Sequence, residues 1–304
     1  MECSMDYRYT RQDLTIAVNG IRLAGWFYRP DTPQPSALVV MSPGFAAVKE
    51  QYLDRFAESF AAAGLAVVVY DQRNFGASGG DLRGDIDPHQ QIEDMREVIT
   101  WASAQAEIDP QRIGVWGSSY SGGHAICLGA LDKRVRCVVA QVPTISGHQS
   151  FLRRAGEQIH AVRDAFQRDR AARYRGEPAI YRRVIAEAGE AGIYPGDDAQ
   201  AFYGAARTLA QGWENRVTLR SSERASEYEP GMLIERLSPT PLLMLVAERD
   251  TVTPADLALA AYTRAGEPKR LCLLPDGHFD PYTRHAQQAI SVARDWFVQH
   301  LQVQ

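Results

Sequence analysis

The stretch "GVWGSSYSGG", residues 114–123, places three serines and four glycines at one point of the chain. The apolar run "RIGVWG" (112–117) leads into it and predicts a strand, and "GGHAICLGAL" (122–131) follows and predicts a helix of small residues. A turn of small residues between a strand and a helix is typical of a nucleophile elbow, which projects one side chain from the top of a sheet.

Steric crowding around such a turn selects one of the three serines. The positions two before and two after the nucleophile must be small, and Ser119 has Gly117 and Ser121 there. Ser118 would place Trp116 at the first crowded position, and Ser121 already lies in the first turn of the predicted helix. We therefore predict Ser119 as the nucleophile, with Ser121 replacing the second glycine of G-x-S-x-G. Ser118 and Ser121 are interpreted as small turn and cap residues.

Strand and helix patterns alternate on both sides of this turn. Such alternation predicts βαβ units and a mostly parallel sheet with helices on both faces. Asn19-Gly20 between two apolar runs predicts a hairpin that adds antiparallel strands at one edge. The predicted strands are 14–18, 21–28, 37–44, 65–71, 112–117, 135–143, 241–248 and 270–276.

The segment 143–230 interrupts the alternation, because it contains no convincing buried strand. We expect a helical lid inserted between two parts of one core, which are 1–142 and 231–304. Between Arg153 and Arg183 the segment has nine arginines against four acids. Two interpretations stay open for this excess: a solvated helical face, or a surface for an anionic substrate or partner.

The composition excludes several classes of function. A net charge of −4 gives no reason to expect nucleic acid as a partner. The four cysteines show no CxxC pattern, which favours free thiols over disulfides or a metal site, and no cofactor is expected. The amino-terminal residues lack a signal-peptide core, and no apolar run is long enough to cross a membrane. These features predict a cytoplasmic protein without a membrane partner.

A serine hydroxyl needs a base to accept its proton, and histidine is the usual one. Of seven histidines, His278 directly follows the last predicted strand, in "LLPDGHFDPY". His124 belongs to the elbow helix and should point away, while His285 and His300 fall in the terminal helix. His278 is the predicted base.

A third group must orient the imidazole, and "RDTVTP" (249–254) supplies it after the strand 241–248. Asp250 occupies that loop, whereas its competitor Glu248 sits closer to the strand. The chain order is then Ser119, Asp250, His278. Three separate loops at strand ends supply the right residue types in that order, which is far more specific than the serine turn alone.

Negative charge on a reacting carbonyl oxygen requires backbone N–H donors. The residue after the nucleophile, Tyr120, supplies one donor. The loop after the first central strand, "SPGFAAVKE" (42–50), supplies the second, and we expect it to be Phe45 N–H.

Together these segments resemble the α/β-hydrolase superfamily, in particular its bacterial branch near dienelactone hydrolases and X-Pro dipeptidyl-peptidase and cocaine-esterase-like serine hydrolases. Fungal polyketide acyltransferases and hydrolases look similar too. The resemblance covers about 1–142 and 231–304, and its segments are "PGFAAVKE", "YDQRNFGASGG", "GSSYSGG", "AERDTVTP" and "GHFDPY". It implies the α/β-hydrolase fold, the same triad and the same two oxyanion donors. Pro43 is a departure, since many relatives carry histidine before the glycine.

The function expected from these residues is hydrolysis of a carboxylic ester or thioester through an acyl-enzyme. Acyl transfer, peptide cleavage and non-catalytic binding are the alternatives. The expected partner is a small-molecule acyl substrate, and a homodimer stays open. The acyl pocket is expected to be largely apolar, although core packing of the lid explains its aromatic residues equally well: Phe151, Phe166, Tyr174, Tyr181, Phe202, Tyr203 and Trp213.

Overall fold

The computed structural model of the protein describes residues 6–210 and 212–301. Its strands are β1 (Tyr9–Val18), β2 (Ile21–Pro30), β3 (Ser36–Ser42), β4 (Ala66–Tyr70), β5 (Ile108–Ser118), β6 (Val135–Gln141), β7 (Tyr181–Ile185), β8 (Gly192–Tyr194), β9 (Val217–Thr218), β10 (Leu242–Ala247) and β11 (Lys269–Leu274). Its α-helices are α1 (Leu53–Ala62), α2 (Pro88–Ser103), α3 (Tyr120–Leu131), α4 (Gly147–Ala155), α5 (Ile159–Tyr174), α6 (Asp197–Leu209), α7 (Leu219–Glu227), α8 (Ala255–Arg264) and α9 (Ala286–Leu301).

The core of the described chain is an eight-stranded sheet in the order β1-β2-β4-β3-β5-β6-β10-β11. All pairs from β4 to β11 are parallel, and β1 and β2 add an antiparallel edge. Asn19 and Gly20 turn the β1–β2 hairpin with positive φ angles of 43° and 82°. Every residue of β3, β4 and β10 is buried, as a sheet covered on both faces requires.

Helices cover both faces of this sheet. α1 and α9 pack against each other and against the sheet, while α3 contacts α2, β5 and β6. In the described residues no helix combines the length and apolar character needed to cross a membrane. The mostly parallel sheet with helices on both faces is the fold that the sequence predicted.

The segment between β6 and β10 carries α4 to α7, together with a three-stranded sheet in the order β8-β7-β9 within the described residues. The insertion therefore contains helices, as expected, and also a small sheet that the sequence did not predict. Its strands are two to five residues long, too short to give a clear alternating pattern. The domain boundaries at 142 and 230 stay predictions.

Side chains of the insertion dock on the loops that follow β3 and β11. Trp213 Nε1 donates to Ala46 O over 2.8 Å, and Tyr203 OH donates to Phe45 O over 2.7 Å. The Phe202 ring lies 4.8 Å from that of Phe279. The insertion thus lies over the carboxyl ends of the central strands, where open α/β sheets bind ligands.

Candidate active site

Ser119 occupies a strained turn between β5 and α3. Its backbone has φ 56° and ψ −116°, a conformation that is costly for a residue with a side chain. Three backbone hydrogen bonds hold it there: Ser119 N–H donates to Gln141 O over 2.8 Å, and Ser119 O accepts from Thr144 N–H over 2.9 Å and from Gly122 N–H over 3.0 Å. The turn therefore depends on β6 and on the chain that follows it.

The small residues around Ser119 are required by contact distances. A Cβ at Gly117 would lie 1.9 Å from Ser121 O, and a Cβ at Gly122 would lie 2.8 Å from Pro143 Cα. Both distances are far below van der Waals contact. A side chain at either position would force the neighbouring backbone to move, so the turn strongly favours glycine there.

The hydroxyl groups of the two neighbouring serines form hydrogen bonds with other residues. Ser121 Oγ lies 3.1 Å from Ser42 Oγ and also donates to Pro43 O. Ser118 Oγ is hydrogen-bonded to Tyr282 OH and accepts from the Gln141 side chain. Neither hydroxyl is hydrogen-bonded to His278, whereas that of Ser119 is.

A hydrogen-bonded chain links the three residues predicted as a triad. His278 Nε2 lies 2.9 Å from Ser119 Oγ, and His278 Nδ1 lies 2.7 Å from Asp250 Oδ2. All three are buried. Asp250 follows β10 and His278 follows β11, so the parallel strands bring both loops to the edge at which β5 ends.

Asp250 is fixed by its own loop. Its Oδ1 accepts hydrogen bonds of 2.8 Å from the N–H groups of Val252 and Thr253. Glu248, the competing carboxylate, is exposed to solvent. The carboxylate that contacts the histidine is therefore that of Asp250.

Thr253 is a residue of the site that the sequence reasoning missed. Its Oγ1 lies 2.9 Å from Asp250 Oδ2, 3.2 Å from His278 Nδ1 and 2.8 Å from Val142 O. A hydroxyl has one proton, so Thr253 can donate to only one acceptor at a time. Its position three residues after the aspartate, in a loop that turns back on the carboxylate, was the available signal.

The other candidate histidines make different contacts. His124 lies between Tyr228 OH at 2.8 Å and Gln91 Oε1 at 3.0 Å, and burial lowers its pKa to about 3. His285 Nε2 contacts Asp276 at 2.9 Å. His300 packs against the Trp296 ring.

The two expected oxyanion donors lie beside Ser119. A Cβ at Gly44 would be only 3.0 Å from Ser119 Cβ, so the following residue, Phe45, passes directly by the serine. The rings of Phe45 and Tyr120 meet edge to face at 5.4 Å. Neither backbone N–H has a hydrogen-bond acceptor within the described chain. Both amides are thus free to bind an oxygen.

A buried aspartate clamps the loop that carries Phe45. Asp71, at the end of β4, accepts from Lys49 N–H over 2.9 Å, from Lys49 Nζ over 2.7 Å and from Ala77 N–H over 2.9 Å. Desolvation alone would lower the pKa of Lys49. The carboxylates of Asp71 and Glu50 have the larger combined effect, so the pKa lies above its ordinary value. The charged pair fixes the loop after β3 relative to β4.

A cavity of about 310 Å³ opens onto the serine. The insertion supplies most of its wall, and Ser119, Phe45 and Tyr120 belong to its lining. Of the seven lid aromatics, Phe151 and Phe166 line it, whereas Tyr174 is exposed and Tyr181 lies under the Arg216 guanidinium. The remaining three are Phe202, Tyr203 and Trp213, which pack in the core. The described residues contain no cluster of His, Cys, Asp or Glu suited to a metal ion.

Comparison with known proteins agrees with this architecture. The crystal structure of the α/β hydrolase GrgF from a Penicillium species superposes with a TM-score of 0.82 at 28% identity, covering 96% of this chain and 99% of that one. A thiohydrolase of Eupenicillium brefeldianum is 31% identical over 287 residues, which are 92% of this chain and 91% of the relative. The quorum-quenching protein AidA of Acinetobacter baumannii is 29% identical, with 91% of each chain covered.

The protein is thus an enzyme with the α/β-hydrolase fold. The family model of the X-Pro dipeptidyl-peptidase (S15 family) matches residues 19–288, and the chain belongs to that family. Non-catalytic binding, one of the alternatives left open by the sequence, is set aside.

Gly117→Ala tests the steric basis of the serine turn. The new Cβ would overlap Ser121 O, so we expect the free energy of unfolding to fall by about 2 kcal/mol or more, with a lower Tm. The control is Gly204→Ala in α6, where a Cβ meets no atom within 4 Å and helix propensity improves. Wild-type melting of both variants would contradict this account of the turn.

Proposed function

We propose that the protein is a serine hydrolase that cleaves a carboxylic ester or thioester of a small, largely apolar acyl group. The observation that carries the proposal is the Ser119–His278–Asp250 chain, with both hydrogen bonds at 2.9 Å or less. The thiohydrolase among the relatives supports the same chemistry.

In the proposed reaction Ser119 Oγ attacks the acyl carbonyl while His278 Nε2 accepts its proton. Asp250 holds the Nδ1–H tautomer and stabilises the imidazolium. The protonated histidine then protonates the leaving alcohol or thiol, which departs and leaves an acyl-enzyme. Water, deprotonated by the same histidine, attacks this ester and releases the free acid.

The proposed oxyanion hole consists of the N–H groups of Phe45 and Tyr120. Both amides lack an internal acceptor in the described chain, and both belong to rigid elements, the clamped loop after β3 and the first turn of α3. Donors held in place before reaction need no reorganisation when charge develops on the oxygen. Helix α3 also directs the positive end of its dipole toward this point.

Acyl transfer to an acceptor other than water is the second candidate. A relative 28% identical to this chain is a polyketide transferase of a Penicillium species. The cavity wall formed by the insertion favours this candidate, because excluding water from the acyl-enzyme lets a bound acceptor compete. Dipeptidyl-peptidase activity is disfavoured, since no Asp or Glu among the described residues lines the cavity to bind a substrate amine.

We infer a cytoplasmic location from the cysteines. Cys127, Cys137 and Cys272 are free, and Cys3 lies outside the described residues. Free thiols are typical of reducing compartments. A small-molecule acyl substrate is the proposed partner; no nucleic acid or membrane partner is proposed, and a homodimer stays open.

Ser119→Ala should lower kcat by on the order of 10³ or more, because it removes the group that forms the covalent bond. The matched controls are Ser118→Ala and Ser121→Ala, whose hydroxyls are bonded away from His278. Each should cost far less. Initial rates on p-nitrophenyl esters of graded chain length provide the measurement, and a dead Ser121→Ala beside an active Ser119→Ala would overturn the assignment.

Asp250→Asn should reduce kcat by roughly 10³ to 10⁴, because an amide favours the wrong tautomer of His278 while keeping the geometry. The control is Glu248→Gln, which changes an exposed carboxylate next to the same loop. With the preferred ester as substrate, the kcat of this control should stay near the wild-type value. If the two variants exchanged their effects, the orienting role would belong to Glu248.

The choice between hydrolysis and transfer is tested by partitioning. An acyl thioester is supplied with increasing concentrations of an alcohol or amine, and free acid is measured against acylated acceptor. We expect free acid to form without any acceptor and to remain the main product. If a stoichiometric acyl-enzyme persists until an acceptor is added, the protein is a transferase and the hydrolase proposal is wrong.

A further inference from the structure

The cavity at Ser119 contains two positive charges and no negative one. Arg154 and Arg182 line it, and no Asp or Glu of the described residues does. Arg182 is half-buried, whereas Arg154 is exposed to solvent. A half-buried arginine usually pairs with a carboxylate, because an uncompensated charge is costly to remove from water. The guanidinium group of Arg182 therefore needs an explanation, and Arg154 adds a second positive charge to the same cavity.

Arg154, near the end of α4, lines the cavity and is exposed to solvent. Its guanidinium stands 5.3 Å from the centre of the Tyr194 ring, and its Nη2 lies 3.4 Å from Val252 O. Val252 belongs to the loop of Asp250, and the Tyr194 ring is 6.3 Å from that of Phe45. The Tyr194 ring thus lies between this charge and the ring of Phe45.

Arg182 enters the cavity from β7. Successive side chains of a strand point to opposite faces, and the next residue, Arg183, pairs on the other face with Glu190 at 2.8 Å. The Arg182 guanidinium has no acceptor in the described parts of the chain. Burial lowers the pKa of Arg182, and the charge of Arg154 lowers it further.

Most other arginines between 153 and 183 behave as surface residues. Five of the nine pair with carboxylates: Arg153, Arg170, Arg173, Arg175 and Arg183. Arg163 and Arg168 are exposed on α5 and do not line the cavity. Of these nine arginines, only Arg154 and Arg182 both line the cavity at Ser119 and lack an ion pair within the described residues.

A third polar group faces the same space. Ser222, on α7, lines the cavity, and its Oγ is buried without a hydrogen-bond partner in the described residues. A buried hydroxyl without a partner is uncommon in native proteins. A bound group with acceptor oxygens would satisfy it together with the two arginines.

We propose that Arg154, Arg182 and Ser222 form an anion subsite, so that the preferred substrate is an acyl ester or thioester bearing a carboxylate or phosphate. This inference rests on the proposed function and deepens it. The anionic oxygens have two possible sources, a carboxylate at the far end of the acyl chain or the phosphates of a carrier's thiol arm. Guanidinium groups bind both in the same way, through paired N–H donors.

Matched thioesters identify the source of the charge. For the acyl end, glutaryl, adipyl and suberyl thioesters of N-acetylcysteamine are compared with pentanoyl, hexanoyl and octanoyl thioesters. For the thiol end, octanoyl-coenzyme A is compared with octanoyl-N-acetylcysteamine. In at least one comparison kcat/KM should favour the anionic substrate by roughly tenfold or more, and added salt should reduce this preference.

The ratio of kcat/KM for the anionic substrate to kcat/KM for the neutral one, measured in variants, tests whether the arginines cause the preference. Arg182→Gln and Arg154→Gln should each reduce the anionic-to-neutral ratio by roughly tenfold. The control is Arg168→Gln, an exposed residue of the same insertion, which should keep the wild-type ratio. Ratios near one for every wild-type comparison, or a preference that survives both cavity variants, would overturn the subsite.

Ligand binding separates this inference from the proposed function. Calorimetry on the Ser119→Ala protein should show tighter binding of the anionic ligand in at least one of two pairs, suberate against octanoate or coenzyme A against N-acetylcysteamine. The difference should disappear when Arg182→Gln is added. If no thioester is hydrolysed but an anionic ligand binds in this way, the hydrolase proposal fails and the subsite stands. If neutral thioesters are hydrolysed and neither anionic ligand shows an advantage, only the subsite fails.

Discussion

The strained backbone of Ser119 determines how the strands and loops around it are arranged. A non-glycine residue with φ 56° and ψ −116° costs about 1–3 kcal/mol, and the surrounding structure must hold it in place. Hydrogen bonds from β6 and its following chain hold the backbone, and glycines at 117 and 122 give it room. As a result, the Ser119 side chain projects from the sheet at the point where α3 begins, apart from the hydroxyls of Ser118 and Ser121.

The parallel strands bring the other proposed reacting groups to the same edge of the sheet. β10 and β11 lie beyond β6 in the sheet, so the loops with Asp250 and His278 reach the serine from one side. The loop after β3 reaches it from the other side with Phe45, fixed by the buried Lys49–Asp71 pair. The insertion covers this edge and forms the cavity. Proposed chemistry and proposed specificity are thus separated, since the core supplies the reacting groups and the insertion supplies the charges that select a substrate.

The sequence predicted the core well because its signals are local. Asn19-Gly20 marks the hairpin, buried β-branched runs mark the strands, and each proposed reacting residue lies in the loop or turn that follows a strand. The small sheet of the insertion was not predicted, because its strands are too short to show an alternating pattern of apolar and polar residues. Thr253 was not predicted because its role depends on a contact with His278, which is far away in the sequence. Arg182 and Arg183 are adjacent and chemically identical, and only the face of β7 on which each lies makes one a cavity group and the other a surface ion pair.

Mass spectrometry of protein labelled with a fluorophosphonate tests whether Ser119 forms the covalent intermediate. Such a reagent labels a serine that a base and an oxyanion hole activate. We expect one added group per chain, located by fragmentation on Ser119 within the peptide between Arg112 and Lys133. Prior denaturation should abolish the labelling. A label on Ser118 or Ser121, or no label on the folded protein, would contradict this assignment.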